Sequence, residues 1–245
     1  MKKLSVITVT YNAEATVERT LKSVAGQSYP HIEHIIVDGK SKDATLDIVK
    51  KHERPNLKWI SEPDKGLYDA MNKAAALTTG DYLCFLNAGD TFFADDTVEK
   101  MMESFPENEF PDILYGQTAI VDNYGKFLHM RRLQAPEKLT WKIFRQGMLV
   151  CHQAFIVKKS IFEAYNLNYR FSSDFDWTLR MMKKSKHIHN THLTLINYLN
   201  EGMTTANHKA SLKERYHIMA KYYGHVSTFL HHIWFAVRSL GKKFV

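Results

Sequence analysis

Cysteine is nearly missing: the 245-residue chain has two, Cys84 inside one apolar run and Cys151 just after another. Two isolated thiols make neither a disulfide framework nor a zinc knuckle, and they read as reduced core residues in a reducing compartment. Long apolar runs are missing as well. Nothing approaches the ~20 residues that cross a bilayer, and Met1-Lys2-Lys3 leads straight into the strand-like Leu4–Val9, without the apolar stretch and small-residue cleavage site of a signal peptide. The expectation is a cytoplasmic protein, soluble or peripheral on the inner face of the membrane. Acidic residues disappear near the C-terminus: from Arg215 to Val245 there is no Asp or Glu, against Arg215, Lys221, Arg238, Lys242 and Lys243. Over the whole chain 33 Lys+Arg exceed 26 Asp+Glu, a net +7. That balance suggests an anionic partner without choosing among nucleotide, phospholipid and nucleic acid.

What is present is a 44% hydrophobic chain of ordinary globular composition, with no repeat and no low-complexity linker. Up to Leu86, β-branched runs alternate with helical patterns: Leu4–Val9, Glu14–Ala25, Ile32–Val37, Asp43–His52, Leu57–Ser61, Leu67–Leu77 and Tyr82–Leu86. Strands separated by helix-length segments predict right-handed βαβ units, hence an α/β protein with a mostly parallel central sheet and helices on both faces. Val17, Leu21 and Val24 mark one helix face; Val98, Met101, Met102 and Phe105 mark another over Asp96–Phe105, as core rather than cofactor contacts. Beyond Pro106 the pattern predicts strands at 113–115 and 118–121, a turn at Asp122–Gly125 and a return strand at Phe127–Met130. It then predicts helices near 137–144, 160–165 and 174–184, with strands at 154–157 and 193–199. The division expected is a first half over 1–105, a second half of the same domain over 106–205, and a C-terminal helical segment over 206–245.

In an open parallel sheet, ligands bind beyond the carboxyl ends of the strands. The residues that follow four successive strands are Thr10-Tyr11-Asn12, Asp38-Gly39, Glu62-Pro63-Asp64-Lys65-Gly66 and Asn87-Ala88-Gly89-Asp90. Each alone reads equally well as a turn; together they make a polar rim. No G-x-G-x-x-G and no G-x-x-x-x-G-K-[ST] occurs, so the rim is neither a dinucleotide fingerprint nor a P-loop. Carboxylates on such a rim repel bare phosphate. They need a base or ribose to accept from, or a divalent cation, Mn2+ or Mg2+, between them and a diphosphate.

Four stretches now carry a resemblance: Ser5–Thr45, Pro63–Ala74 ("PDKGLYDAMNKA"), Gly80–Asp90 ("GDYLCFLNAGD") and Ser172–Arg180 ("SSDFDWTLR"). Together they closely resemble the inverting family 2 glycosyltransferases with the nucleotide-diphospho-sugar transferase fold, a Rossmann-like GT-A architecture. The resemblance spans roughly residues 4–200 and is nearly silent on the sugar. It implies a nucleotide-binding first half, an acceptor-side second half, and transfer of a sugar, UDP-linked by expectation, to a saccharide or lipid-linked saccharide acceptor. Single addition is expected in surface-polysaccharide or glycolipid synthesis, since the Q-x-x-R-W motif of the processive polymerases is absent. By the same resemblance Thr10 and Tyr11 lie against the nucleoside and Asp38 accepts from the base. Asp64 and Lys65 line the cleft, and Asn87 stands near ribose or diphosphate. The family's acidic motif offers more than one carboxylate; here Asn87 and Gly89 leave Asp90 as the metal ligand.

Asp174 aligns with the family's general base, where flanking Phe171, Phe175 and Trp177 would desolvate it. Capping of the helix that follows is the alternative, ranked below the base role for Asp174 and above it for Asp176. His152, Asp176 and Trp177 are candidates on the acceptor or diphosphate side, and His152 serves equally as a structural histidine. His187, His189 and His192 alternate beside lysines with no acidic or cysteine partner, which argues against a metal site. In the tail, Phe229, Ile233, Trp234, Val237 and Leu240 share a helical face near Arg238, Lys242 and Lys243. Residues 228–245 therefore suit either packing on the domain or an anionic membrane surface. Rival functions are a sugar nucleotidyltransferase, disfavoured by Thr10–Glu14 in place of a glycine-rich basic loop, and a non-catalytic sugar-nucleotide-binding relative. Nucleic acid is not an expected partner, since basic and aromatic residues do not interleave and the rim is acidic.

Overall fold

The computed structural model describes residues 1–200 and 208–240. Its first part is a parallel sheet of β1 (Leu4–Thr10), β2 (Ile32–Asp38), β3 (Leu57–Ser61) and β4 (Tyr82–Phe85), joined through α1 (Val17–Ala25), α2 (Thr45–Lys51) and α3 (Leu67–Leu77). β1 and β2 are buried over all seven residues each, as strands covered on both faces must be. α1 turns Val17, Leu21 and Val24 inward; Val17 and Leu21 meet Ile36, Val49 and Leu57 in a satellite core under α2. The remaining elements are β5 (Thr91–Phe92), α4 (Thr97–Glu103), β6 (Ile113–Val121), β7 (Phe127–Met130), β8 (Phe155–Lys158), α5 (Ser173–Lys184), β9 (Ile188–Leu199), α6 (His208–Tyr223) and α7 (His225–Leu240).

The α/β class holds, but the sheet is mixed. Its order is β3-β2-β1-β4-β8-β6-β9-β5, with β7 on β6. Parallel pairing covers β1–β4 and β6/β9; β4/β8, β6/β8, β6/β7 and β5/β9 are antiparallel. The expected strands at 113–115 and 118–121 are one strand through Gly116, where a Cβ would lie 2.5 Å from the Leu193 carbonyl oxygen of β9. The hairpin at 118–130 forms as expected.

Two expected helices do not form, for a common reason: their backbone groups bond to side chains from elsewhere. Near 137–144 there is only a 3-10 turn at Ile143–Gln146, because the Tyr115 hydroxyl takes the Pro136 and Glu137 carbonyls and Gln117 holds both polar groups of Ala135. At 160–165 the only helical piece is a 3-10 turn at Lys159–Ile161. Asn72 brackets the backbone of Tyr165, Trp177 Nε1 donates to the Glu163 carbonyl and Arg180 Nη2 to that of Ala164. α1 likewise starts at Val17 and not Glu14, because Glu14 is tied by its N–H to Asp43 and by its carboxylate to the Ala44 N–H.

At the amino ends of the strands, Glu33 is a structural acid. Burial raises its carboxyl, but bonds donated by Ser5 Oγ, Thr79 and Lys3 prevail and lower it to about 2. At the opposite edge the arrangement differs. There Glu214 of α6 accepts the backbone N–H groups of Arg170, Phe171 and Ser172. This fastens α6 to the start of α5 and fixes both against the carboxyl ends of the strands.

Candidate active site

A cleft of about 1010 Å³ opens along that carboxyl edge. β1 and β4 supply Thr10, Tyr11 and Asn87, the turn into α3 supplies Asp64 and Tyr68, and the turn before β8 supplies His152 and Gln153. β9 adds Tyr198 and Leu199, while Asp174 of α5 and Arg215 of α6 close the far side.

One end is shaped for a flat ring. Tyr11 is 62% exposed, although the backbone around it is held: Asn12 N–H donates to Ser41 Oγ, and Asn12 Oδ1 accepts from the Lys42 N–H. A Cβ on Gly39 would strike Asp64 Oδ2 and touch the Tyr11 ring, so glycine keeps the space between them open. Asp64 Oδ1 accepts the Gly66 N–H at 2.7 Å. Asp38 is not on this wall. It is fully buried and accepts from Thr10 Oγ1, Ser41 Oγ, the Ser41 N–H and Ser61 Oγ. Those four donors occupy both of its carboxylate oxygens, and Asp64 is the acid that lines the cleft beside Tyr11. Lys65 is exposed on the loop outside the cleft lining, its N–H donating to Asp69.

At the end of β4, Asp90 is 3% exposed. Its Oδ2 accepts from Gln153 Nε2 at 2.8 Å and its Oδ1 from the Leu199 N–H at 2.9 Å. Burial pushes the carboxyl up to about 7, against the pull of those two bonds. Asn87 contributes a buried Oδ1 with no partner. Among the described residues no three His, Cys, Asp or Glu side chains gather as a metal would require. One carboxylate beside one neutral amide makes no all-protein cage for a divalent ion; an ion here would take most of its coordination from phosphate oxygens and water. Asp90, the expected metal ligand, also ties the turn after β4 to the segment before β8 and to β9 through these two bonds.

The far side holds Asp174 and, on the same cleft wall, His152. Asp174 stands in the first turn of α5, where the helix dipole favours a carboxylate. Ser172 at the cap position makes no side-chain cap bond. Asp174 Oδ1 accepts the Tyr68 hydroxyl at 3.1 Å and the Phe175 N–H at 2.9 Å, and its side chain lines the cleft. Asp176 points the other way, 1% exposed. It accepts from Arg180 Nε at 2.8 Å and the Tyr222 hydroxyl at 3.1 Å, with Lys221 Nζ at 3.6 Å. Trp177 is fully buried, stacked on Tyr165 at 4.9 Å, and does not line the cleft. Neither has the acceptor-side position expected of it; both join α5 to its neighbours. His152 does line the cleft and lies 2.5 Å from the Tyr165 hydroxyl; burial lowers its pKa to about 4, so it is neutral at physiological pH.

With this geometry in place, likeness to known proteins decides the family. The model of "Glycosyl transferase family 2" matches residues 5–165. The chain belongs to glycosyl transferase family 2. A PGL/p-HBAD biosynthesis glycosyltransferase of Mycobacterium bovis is 33% identical over 186 residues, covering 72% of this chain and 68% of its own. TuaG of Bacillus subtilis, assigned to teichuronic acid biosynthesis, is 30% identical over 234 residues, 88% and 90% of the two chains. S. aureus TarS in complex with UDP-GlcNAc superposes with a TM-score of 0.72 at 20% identity over 89% of this chain. A Pyrobaculum calidifontis mannosyltransferase in complex with GDP-Man and Mn2+ does so with 0.64 at 17% identity over 90%. Both solved structures share the fold, and this chain spans 64% of the length of each.

In this family 2 protein the motifs lead to Thr10, Tyr11, Asp64, Asn87, Asp90 and Asp174 on the cleft wall. Sequence reading missed Gln153, whose link to Asp90 depends on β8 lying beside β4. It missed Tyr68, although "KGLYDAMN" contains it. It also missed Arg131, Arg170 and Arg215, which lie on the cleft wall and form no ion pair with a carboxylate among the described residues. Arg215 belongs to the charge run that sequence reading assigned to the tail.

Proposed function

We propose that the protein transfers a sugar from a nucleoside-diphosphate sugar to an acceptor hydroxyl with inversion, and that Asp174 is the general base. The observation that carries this is the contrast between two acids two residues apart on one helix: Asp174 faces the cleft and Asp176 is enclosed by cations and a tyrosine. In the step proposed, the acceptor oxygen attacks the anomeric carbon from the face opposite the diphosphate, the bond from that carbon to the diphosphate oxygen breaks, and the acceptor proton passes to Asp174. Tyr68 holds the carboxylate in position from α3. Tyr11 stacks on the base and Asp64 accepts from it. Uracil is the base favoured, in keeping with the UDP-GlcNAc complex of TarS. No step is routed through a metal, since Asp90 and Asn87 would hold one only together with the donor's own phosphate oxygens.

Calorimetric titration of UDP, GDP, CDP and dTDP tests the donor side. One diphosphate is expected to bind, with UDP first. If none of the four binds, the transfer reading falls.

The acceptor belongs by this reading to surface-polysaccharide or glycolipid synthesis, as the names of the two relatives suggest, with one sugar added per encounter. Among the described residues no helix is long and apolar enough to cross a membrane. α7, however, turns a stripe outward: Val226, Phe229, Leu230, Ile233, Trp234 and Val237 are 47–77% exposed. Thr228 is buried and Phe235 packs on the core, so the apolar face is not the one that packs. Of the tail residues, 241–245 lie outside the described ones. The absence of any acid after Glu214 makes an anionic bilayer the occupant favoured. Changing Phe229, Ile233 and Trp234 together to serine is expected to cut sedimentation with phosphatidylglycerol vesicles at least tenfold, since each buried side chain is worth about 1.5–3 kcal/mol. Unchanged sedimentation, or a dimer in light scattering that the triple change dissolves, would assign the stripe elsewhere.

A further inference from the structure

We propose that Arg215 binds the donor's diphosphate directly and takes up the charge it gains on leaving, the work that a carboxylate-held divalent ion would otherwise do. The proposal rests on the transfer reading above and names the group that makes it workable at a site with one clamped carboxylate.

Three observations converge on Arg215. Its Nε is buried and has no hydrogen-bond partner, a condition that costs stability unless a ligand supplies the acceptor. Its guanidinium lies 5.5 Å from the centre of the Phe175 ring, which orients the plane without using a hydrogen bond. It makes no ion pair among the described residues, yet it lines the same cleft as Asp174 and Asn87. The preceding residue, Glu214, receives three backbone N–H groups at the start of α5. The arginine is therefore set against the helix that carries the proposed base, and a preset fork of N–H donors matches phosphate oxygens.

The electrostatics follow from the bond changes. As the bond between the anomeric carbon and the diphosphate oxygen breaks, its electron pair stays on that oxygen while the acceptor proton goes to Asp174. Negative charge grows on the diphosphate, and a fixed cation in a partly dehydrated cleft stabilises it without reorganising. Asp64 and Tyr11 lie at the nucleoside end, so the acid there does not oppose the anion. Arg170, exposed and resting 5.5 Å from the Phe171 ring centre, is available as a second cation.

The test titrates UDP, GDP, CDP and dTDP, and the matching nucleosides, into wild type, Arg215→Ala and Arg215→Lys, each with excess chelator and again with Mn2+. The diphosphate that binds is expected to do so in chelator, at least tenfold tighter than its nucleoside. Arg215→Ala should erase that difference and leave nucleoside affinity unchanged, and Arg215→Lys should keep part of it. Thermal melts check that each variant is folded; Arg215→Gln, which retains side-chain N–H groups and removes the charge, replaces alanine if that variant is not. Diphosphate binding that survives Arg215→Ala, or that vanishes in chelator and returns with Mn2+, overturns the proposal while leaving the transferase intact. Loss of nucleoside and diphosphate binding alike in folded Arg215→Ala also overturns it, as a packing role. Failure of every diphosphate to bind wild type removes the transfer reading and this one with it.

Discussion

Asp174→Asn is expected to reduce turnover at saturating acceptor by about a thousandfold, within the 10²–10⁴ that a positioned general base contributes. The amide keeps the shape and can still accept from the Tyr68 hydroxyl, so donor affinity and thermal stability should change little. What it removes is the ability to take a proton as the acceptor oxygen attacks. Asp176→Asn provides the contrast. It leaves Arg180 and Lys221 facing a neutral buried group, and losing charge-assisted hydrogen bonds costs about 1.5–3 kcal/mol, so its loss should appear in melting temperature before it appears in the turnover of folded enzyme. Wild-type turnover in Asp174→Asn would remove it from the mechanism.

That contrast also marks what sequence can and cannot reveal here. The alternation from Leu4 to Leu86 is legible because each βαβ unit is decided locally, by apolar periodicity and the turn residues between. From Pro106 onward the chain's path depends on bonds between distant residues: Tyr115 reaching Pro136, Asn72 bracketing Tyr165, Arg180 taking the Ala164 carbonyl. No local periodicity encodes those, and there the expected helices fail. The candidate site divides in the same way. A rim of polar residues at strand ends is legible; which acid on the rim faces inward is not. Asp38 and Asp64 both follow strands, but only Asp38 has Thr10, Ser41 and Ser61 around it. Asp174 and Asp176 share one helix, but two residues turn the side chain by roughly 200°, from cleft to core. Arg215 reaches the cleft because Glu214 docks α6 on the start of α5, a tertiary contact with no sequence mark.

Gly89→Asp, which would add a second carboxylate beside Asp90, is expected to lower the melting temperature by about 10 °C and not to create a manganese site. Gly89 has φ +100°, outside the region open to a side chain, and a Cβ there would come within 2.6 Å of Leu199 Cδ2 and 3.3 Å of Thr16 Cβ. Backbone strain of this kind costs about 1–3 kcal/mol and overpacking about 1–3 more; at about 2–4 °C per kcal/mol for a chain of this size, the sum is a shift of that order. The Leu199 methyl can swing aside, yet the Leu199 N–H is one of the two donors on Asp90, so relief by moving the backbone would loosen the clamp. Asn87 is the position where a carboxylate fits: its Oδ1 is already present, buried and unpartnered, and Asp is nearly isosteric. Asn87→Asp should therefore fold within a few degrees of wild type, measured by the same melt. A stable Gly89→Asp protein that binds Mn2+ in calorimetry would mean that the turn after β4 tolerates the carboxylate, and that the clamp on Asp90 opens to coordinate an ion. The arginine on α6 would then be an accessory to that metal and not its replacement.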